Sequence, residues 1–242
     1  MNSRSPKNKR EAGFSLFELV IAMGVTLAIM AVASTLLAGA FKQRASNLDT
    51  IDALADAQRA LNIMSREIAD TGFNLTDNGI VDADSVTDAN GNSTIRIRAN
   101  LNKFDMSPTI LDTARNGIGV VGQDLGEDVT YFIYPTPTAN TTLLARYDAY
   151  AVAGGSSTVL ANRLDGLHIH YFSQYVTYST SGCDIASASA AEVTPSAAKY
   201  VVIAVCVGVE AVGSPGSPGY QPGRSVLLVS DVALRNSNLT TY

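Results

Sequence analysis

The spacing of hydrophobic residues divides the chain into an apolar segment, an amphipathic segment and a region of short strand patterns. Residues 14–41 form the apolar segment, which carries a single charged residue, Glu18. A helix needs about 20 mostly apolar residues to cross a bilayer, so this segment is long enough to span one. A secretory signal has a shorter apolar stretch of about 7–15 residues, so we expect the segment to stay in the mature protein.

Residues 42–72 continue with apolar positions at helical spacing. On a helical wheel one face holds Leu54, Ala57, Leu61, Met64 and Ile68. The opposite side gathers the charged residues Asp49, Asp52, Asp56, Arg59, Arg66, Glu67 and Asp70. Because no proline occurs between Pro6 and Pro108, the pattern predicts one helix over about residues 15–71, capped at Gly72.

Beyond residue 80 the helical spacing is replaced by strand patterns. Strands are predicted at 94–99, 128–134, 143–149, 166–172, 200–209 and 225–234. Residues 200–209 are apolar throughout, which indicates a central strand covered on both faces. Residues 213–223 are rich in glycine and proline and predict an exposed loop, and 186–198 reads as a low-complexity insertion. One long helix followed by strands predicts an α+β fold with an antiparallel sheet packed on the helix.

Charge and composition narrow the possible classes of protein. Hydrophobic residues make up 46% of the 242 residues and charged residues 16%, which excludes an intrinsically disordered chain. The net charge of −5 disfavours a general nucleic-acid binder. Four basic residues precede the apolar segment, so the positive-inside rule predicts a cytoplasmic N-terminus and a domain on the far side of the membrane.

The sequence GFSLFEL at residues 13–19, between the basic leader and the apolar segment, resembles the processing signature of type IV pilins and type II secretion pseudopilins. The resemblance implies that a prepilin peptidase cuts between Gly13 and Phe14 and that Phe14 is N-methylated. It also implies that Glu18 serves assembly, by meeting the terminal amine of a neighbouring subunit inside the membrane. A buried carboxylate gains from such a cation.

The family resemblance also implies a domain organisation and a location. Residues 1–13 would be the leader peptide, 14–41 the transmembrane and assembly half of the helix, 42–72 its amphipathic half and 73–242 a periplasmic β-sheet domain. The fold would be pilin-like, and the protein would be held in a bacterial inner membrane before it joins a pilus. Its partners would be the prepilin peptidase, other major and minor pilins and the inner-membrane assembly machinery.

Weaker similarities point to one branch of the family. Residues 53–73, 92–98 and 231–236 are similar to PilW-like minor pilins, which are implied to help prime filament assembly. The alternatives are a J-type pseudopilin of a type II secretion system and a pilus-associated adhesin or uptake module. For the last, the segments 76–93 and 213–223 are the expected binding regions.

The remaining candidate residues offer limited chemistry. Cys183 and Cys206 lie in the predicted periplasmic domain, where disulfides persist, and a disulfide is favoured over two buried thiols. His168 and His170 share a strand face, but the neighbouring sequence holds no cysteine or carboxylate cluster, so a packing or surface role is expected and no metal.

Two stretches of the sequence partly match known binding motifs but lack what those motifs require. The G-x-G-x-x-G pattern at 117–122 lacks the strand and helix that a dinucleotide site requires. The acidic stretch 82–92 lacks the glycine and glutamate of an EF-hand loop, which favours a turn-rich connector over a calcium loop. We therefore expect no cofactor and no enzymatic activity.

Overall fold

The computed structural model describes residues 15–101, 125–135, 142–216 and 220–236. Within these ranges the chain is α+β, with one long helix followed by nine strands. The elements are α1 (Leu16–Ala69), β1 (Ile95–Arg98), β2 (Asp128–Pro135), β3 (Thr142–Asp148), β4 (Ser156–Asn162), β5 (Leu164–Phe172), β6 (Tyr178–Ser181), β7 (Asp184–Ala188), β8 (Tyr200–Val209) and β9 (Arg224–Ala233). The chain separates into two compact units, Met1–Ser46 and Asn47–Tyr242, and α1 contributes residues to both.

The second half of α1 is amphipathic, as the spacing predicts. Its buried residues recur at helical intervals and are Ala53, Ala57, Ala60, Leu61, Met64, Ile68 and Ala69. Leu54 is only partly buried and packs against the edge of the core. The expected charged side is also less uniform than predicted, because Glu67 turns toward the β-sheet domain and pairs with Arg146.

The helix ends at Ala69, two residues before the predicted boundary, and a turn follows it. Gly72 has φ +76°, a left-handed conformation that glycine adopts without a steric penalty. Its N–H donates to the carbonyl of Arg98 at 2.9 Å. The turn at 77–79 is also present, with Gly79 at φ +74° and its N–H bonded to the Asp77 carboxylate at 2.8 Å.

The sequence predicted one antiparallel sheet. That prediction is wrong, because the described strands form three antiparallel sheets. Their strand orders are β1-β2-β3-β4, β5-β8-β9 and β6-β7. Arg163 is the one residue between β4 and β5, and its φ of +57° interrupts the strand so that the chain leaves one sheet and enters the next. The strands β4, β6 and β7 were not predicted, and β7 falls partly within the segment expected to be low-complexity insertion.

The hydrophobic core lies on both sides of β8, as its uninterrupted apolar sequence predicts. Val201, Ile203 and Val205 face the cluster that contains the buried stripe of α1. The opposite face of β8 carries Tyr200 and Val202, which pack with Phe172 and Val176 in a second, smaller cluster. The alternation in β1 is also as predicted, because Ile95 and Ile97 are buried while Arg96 and Arg98 are not.

Candidate assembly site on the N-terminal helix

The first part of α1 exposes an apolar surface that a soluble domain would bury. Leu16, Phe17 and Phe41 are 81%, 72% and 61% exposed, and the large apolar residues between them are exposed as well. The apolar window of α1 has a mean hydropathy of 2.3, and none of its residues is buried. Among the described residues, α1 is thus a helix long and apolar enough to cross a membrane.

The two threonine hydroxyls in this segment have backbone partners. Thr26 donates to the carbonyl of Ala22 at 2.6 Å, and Thr35 donates to that of Val32 at 2.8 Å. A hydroxyl without a partner is costly in hydrocarbon, and bonding back to the preceding turn removes that cost. These two threonines are therefore compatible with a helix inside a bilayer.

Glu18 lies in the first turn of α1 and closes a capping box. Ser15 precedes the helix, and its hydroxyl oxygen accepts the N–H of Phe17 at 3.3 Å. The Ser15 N–H in turn donates to Oε2 of Glu18 at 3.1 Å. This reciprocal pair is the S-x-x-E arrangement that satisfies the unpaired N–H groups at a helix start. Sequence reasoning missed it, although the spacing of Ser15 and Glu18 was a sufficient signal.

The capping bond leaves the carboxylate able to bind a cation. An ionised carboxylate has about four acceptor positions, and the bond from Ser15 occupies one of them. Glu18 is exposed, and it is the one residue of the apolar segment 14–41 whose side chain can carry a negative charge. The positive end of the helix dipole favours that charge, but an ammonium group within hydrogen-bonding distance stabilises a carboxylate more strongly in a low-dielectric medium.

Several sequence predictions fall outside the described residues. They include Gly13 and Phe14, the residues on either side of the predicted cut, and the G-x-G-x-x-G pattern at 117–122. Their roles stay predictions from the sequence.

The acidic stretch 82–92 is described, and its carboxylates are engaged in separate contacts. Asp82 accepts the N–H and the hydroxyl of Ser196, both at 2.6 Å, and Asp84 pairs with Arg96 at 2.6 Å. Asp88 accepts the N–H groups of Asn90 and Asn92 at 2.8 Å, and the bond from Asn92 is the main cause that lowers its pKa. The Asp88 bonds lie within one turn, whereas Asp82 and Asp84 connect the stretch to other parts of the domain.

A polar network inside the β-sheet domain was not visible in the sequence. The hydroxyl of Tyr131 donates to the carboxylate of Glu67, and Arg146 pairs with the same carboxylate at 3.1 Å and with Asp148 at 3.2 Å. Burial raises the pKa of the Tyr131 hydroxyl, and the adjacent Glu67 charge raises it further. The network links α1 to β2 and β3 through side-chain contacts.

The predicted cysteine and histidine residues come together on one sheet face. Cys183 and Cys206 are joined by a disulfide, with their Cα atoms 5.2 Å apart. His168 and His170 lie beside it on β5, and two carboxylates that are distant in sequence approach them. The neighbouring sequence holds no cysteine or carboxylate cluster, but chain folding brings Asp184 and Glu192 to the two histidines.

The chain matches no family model, no curated protein and no solved structure.

Proposed function

We propose that this protein is a minor subunit of a type IV pilus, held in the inner membrane by α1 until it is taken into the filament. The observation that carries the proposal is the division of α1 along its length. Its first part is apolar, exposed and interrupted by one charge at Glu18, while its second part buries a stripe of residues within a β-sheet domain. One helix thus contains a segment suited to lateral packing in a membrane and a segment that forms part of the core of a folded domain.

The exposed apolar surface has two successive environments under this proposal. Lipid covers it while the subunit is stored in the membrane, and the helices of neighbouring subunits cover it in the filament. The exchange costs little because both environments are apolar. Glu18 is the exception, since its charge is expensive in hydrocarbon unless a cation accompanies it.

The partner of Glu18 is proposed to be the amine of a neighbouring subunit's Phe14, which becomes the N-terminus when the leader is removed. Each subunit then supplies one cation and one anion at the same end of the helix. Pairing the amine of one subunit with Glu18 of the next fixes the axial position of each added subunit. A displaced helix would leave both charges unpaired in an apolar medium.

Substitutions at Glu18 test this pairing and separate it from helix capping. Glu18→Gln keeps the capping geometry, since glutamine can fill the same position of the box, but removes the charge. Glu18→Ala removes both. We expect both variants to insert in the membrane at wild-type levels and to be depleted from sheared filaments by at least about tenfold, which corresponds to a loss of about 1.4 kcal/mol.

Ser15→Ala is the matched control, because it removes the capping hydroxyl and keeps the Glu18 charge. We expect this variant to enter filaments like the wild type. Wild-type incorporation of Glu18→Gln would contradict the proposal, since the role of Glu18 would then be capping alone. Blotting membrane and sheared fractions with an antibody to the β-sheet domain measures how much of each variant is in the membrane and how much is in filaments.

The same helix would serve a J-type pseudopilin of a type II secretion system. Co-purification distinguishes the two assignments. A minor pilin is recovered with sheared pilus fibres, whereas a pseudopilin is recovered with the secretion pseudopilins and is dispensable for fibre formation.

A further inference from the structure

β9 is the last strand of the β5-β8-β9 sheet, and no described strand pairs with its outer edge. Hydrogen bonding alternates along an antiparallel pair, so one bond fixes which residues of β9 face β8. Leu234, just past the strand, donates to the carbonyl of Lys199 at 2.9 Å, and the register continues from this pair without a shift. The even-numbered residues of β9 therefore bond to β8, and the backbone groups of the odd-numbered residues point outward.

The next odd-numbered residue after the strand agrees with this assignment. Arg235 donates its N–H outward, to the carbonyl of Ala69 at the end of α1, at 3.1 Å. Within the strand the outward backbone groups belong to Ser225, Leu227, Val229, Asp231 and Ala233. The first and the last two of these residues are exposed, and the other two are partly exposed. Among the described residues, the outer edge is thus open along the length of β9.

This edge lacks the features by which proteins protect a free strand. Residues 225–230 have the sequence SVLLVS, which contains no charged residue, proline or glycine. The pairing with β8 covers all ten residues of β9 without a bulge. A long, regular and uncharged edge is a template for pairing with another extended chain, and natural proteins blunt such edges with charges, prolines, bulges or short strands.

The other sheet edges in the described part of the chain carry such protection. β1 is bonded on its outer side by the chain before it, where Val81 donates to the carbonyl of Arg96 at 3.0 Å. The outer edge of β5 is bonded in the same way, because Ser93 donates to the carbonyl of Leu167 at 2.7 Å. β4 and the β6-β7 pair are interrupted by register shifts. The edge of β9 therefore differs from the others.

β9 is also held in place before any partner arrives. Leu228 packs against the large core cluster on one face of the sheet, and Val229 packs against the smaller cluster on the other. The hydroxyl of Tyr178 donates to the carboxylate of Asp231 at 2.6 Å. A preorganised strand loses little further conformational entropy on binding, which favours the addition of a partner strand.

We infer that the outer edge of β9 receives an extended strand of a different, neighbouring subunit, which lengthens the β5-β8-β9 sheet to four strands. An extended backbone matches the alternating donors and acceptors of a free edge, and side chains then decide which strand fits best. The inference rests on the proposed assembly role, because the filament is where a neighbouring subunit lies beside this domain.

Charge narrows the identity of the incoming strand. Arg224 is exposed at one end of the edge, and Asp231 is exposed near the other. In an antiparallel pair, opposed residues either both face the partner or both face away. In a pair of two β9 strands an even-numbered residue thus opposes another even-numbered one, so Arg224 and Asp231 never meet. A strand of a different subunit gains more, with uncharged residues opposite 225–230 and an acidic residue opposite Arg224.

A proline substitution tests the backbone donor of the edge. The N–H of Leu227 points outward, so Leu227→Pro removes a bond to the incoming strand and none to β8. Leu227→Ala is the matched control, because it shortens the same side chain and keeps the N–H. We expect both variants to keep the near-ultraviolet circular dichroism and membrane level of the wild type. Leu227→Pro should be depleted from sheared filaments by about tenfold relative to Leu227→Ala. Equal incorporation of the two would overturn the inference.

Hydrogen exchange on the wild type does not depend on how the variants fold. In the detergent-purified full-length subunit, we expect the amides of Leu227 and Val229 to exchange faster than those of Val226 and Leu228, which bond to β8. In sheared filaments the first two amides should slow by at least about 100-fold. Protection that instead rose with the concentration of the purified subunit would identify a second copy at the edge and overturn the inference.

The inference and the proposed function fail in different ways. If the wild-type protein is recovered in filaments while Leu227 and Val229 exchange as in detergent, the role of the β9 edge is overturned and the assembly role of α1 stands. If the wild-type protein is absent from filaments, the assembly role is overturned, and the inference that rests on it is overturned too.

Discussion

Gly79 is the residue that most tightly restricts the packing between the end of α1 and β1. The N–H of Arg98 donates to its carbonyl at 2.7 Å, and Gly72 donates to the carbonyl of the same Arg98 at 2.9 Å. A Cβ atom on Gly79 would lie 2.2 Å from the Arg98 carbonyl oxygen and 2.4 Å from the Gly72 nitrogen. Both atoms belong to the backbone and cannot move aside as a flexible side chain could.

We therefore expect Gly79→Ala to lower the free energy of unfolding by at least about 3 kcal/mol, because left-handed strain and backbone overlap add together. Gly154→Ala is the matched control, since Gly154 also has a positive φ, +88°, but open space where the Cβ would lie. It should lose only about 1 kcal/mol, from strain alone. Urea unfolding of both variants, followed by near-ultraviolet circular dichroism, measures the difference. Equal losses would contradict the account of Gly79.

At the scale of the elements, some strands can be predicted from the hydrophobic pattern of the sequence and others cannot. β8 was predicted with its correct bounds and burial because ten successive residues are apolar or small. β6 and β7 consist largely of serine, threonine and alanine, and their two-stranded sheet is mostly exposed, so no hydrophobic alternation marks them. β4 has the same weakness, since its first residues are serine and threonine and its exposed face includes Val159.

The exposed β6-β7 hairpin depends on its disulfide because its own apolar contacts are few. Replacing both Cys183 and Cys206 by alanine should lower the free energy of unfolding by about 3 kcal/mol, the chain-entropy value for a loop of this length. Reduced wild-type protein is the control, because it retains the size of the buried Cys206 side chain. If the reduced and oxidised wild type unfolded at the same urea concentration, the disulfide would have no stabilising role.

At the scale of the whole molecule, the sequence predicted the local patterns but not the contacts between distant residues. The long helix, its buried stripe and six of the strands are local features, and the structure has all of them. The split into separate sheets, the Glu67–Tyr131–Arg146 network and the approach of Asp184 to the histidines depend on tertiary packing, which periodicity does not encode. Gly13 and Phe14 lie outside the described residues, so their roles rest on the sequence alone.

The proposed removal of residues 1–13 belongs to the scale of the whole molecule, because it would change both the net charge and the N-terminus. Loss of residues 1–13 leaves 13 basic and 21 acidic residues, so the net charge falls from −5 to −8. It would also create the amine at Phe14 that the proposed pairing with Glu18 requires. We therefore expect the intact mass of the membrane-extracted protein to equal that of residues 14–242 plus one methyl group.

This change in mass should occur only in cells with prepilin peptidase activity. A Gly13→Ala variant tests the residue before the cut, and we expect it to accumulate with the leader attached. Ser3→Ala, within the leader but away from the cut, is the control and should be processed like the wild type. If the N-terminus were intact in cells with and without the peptidase, no amine would form at Phe14. The protein would then be a single-pass anchored domain, and Glu18 would retain only its capping bond to Ser15.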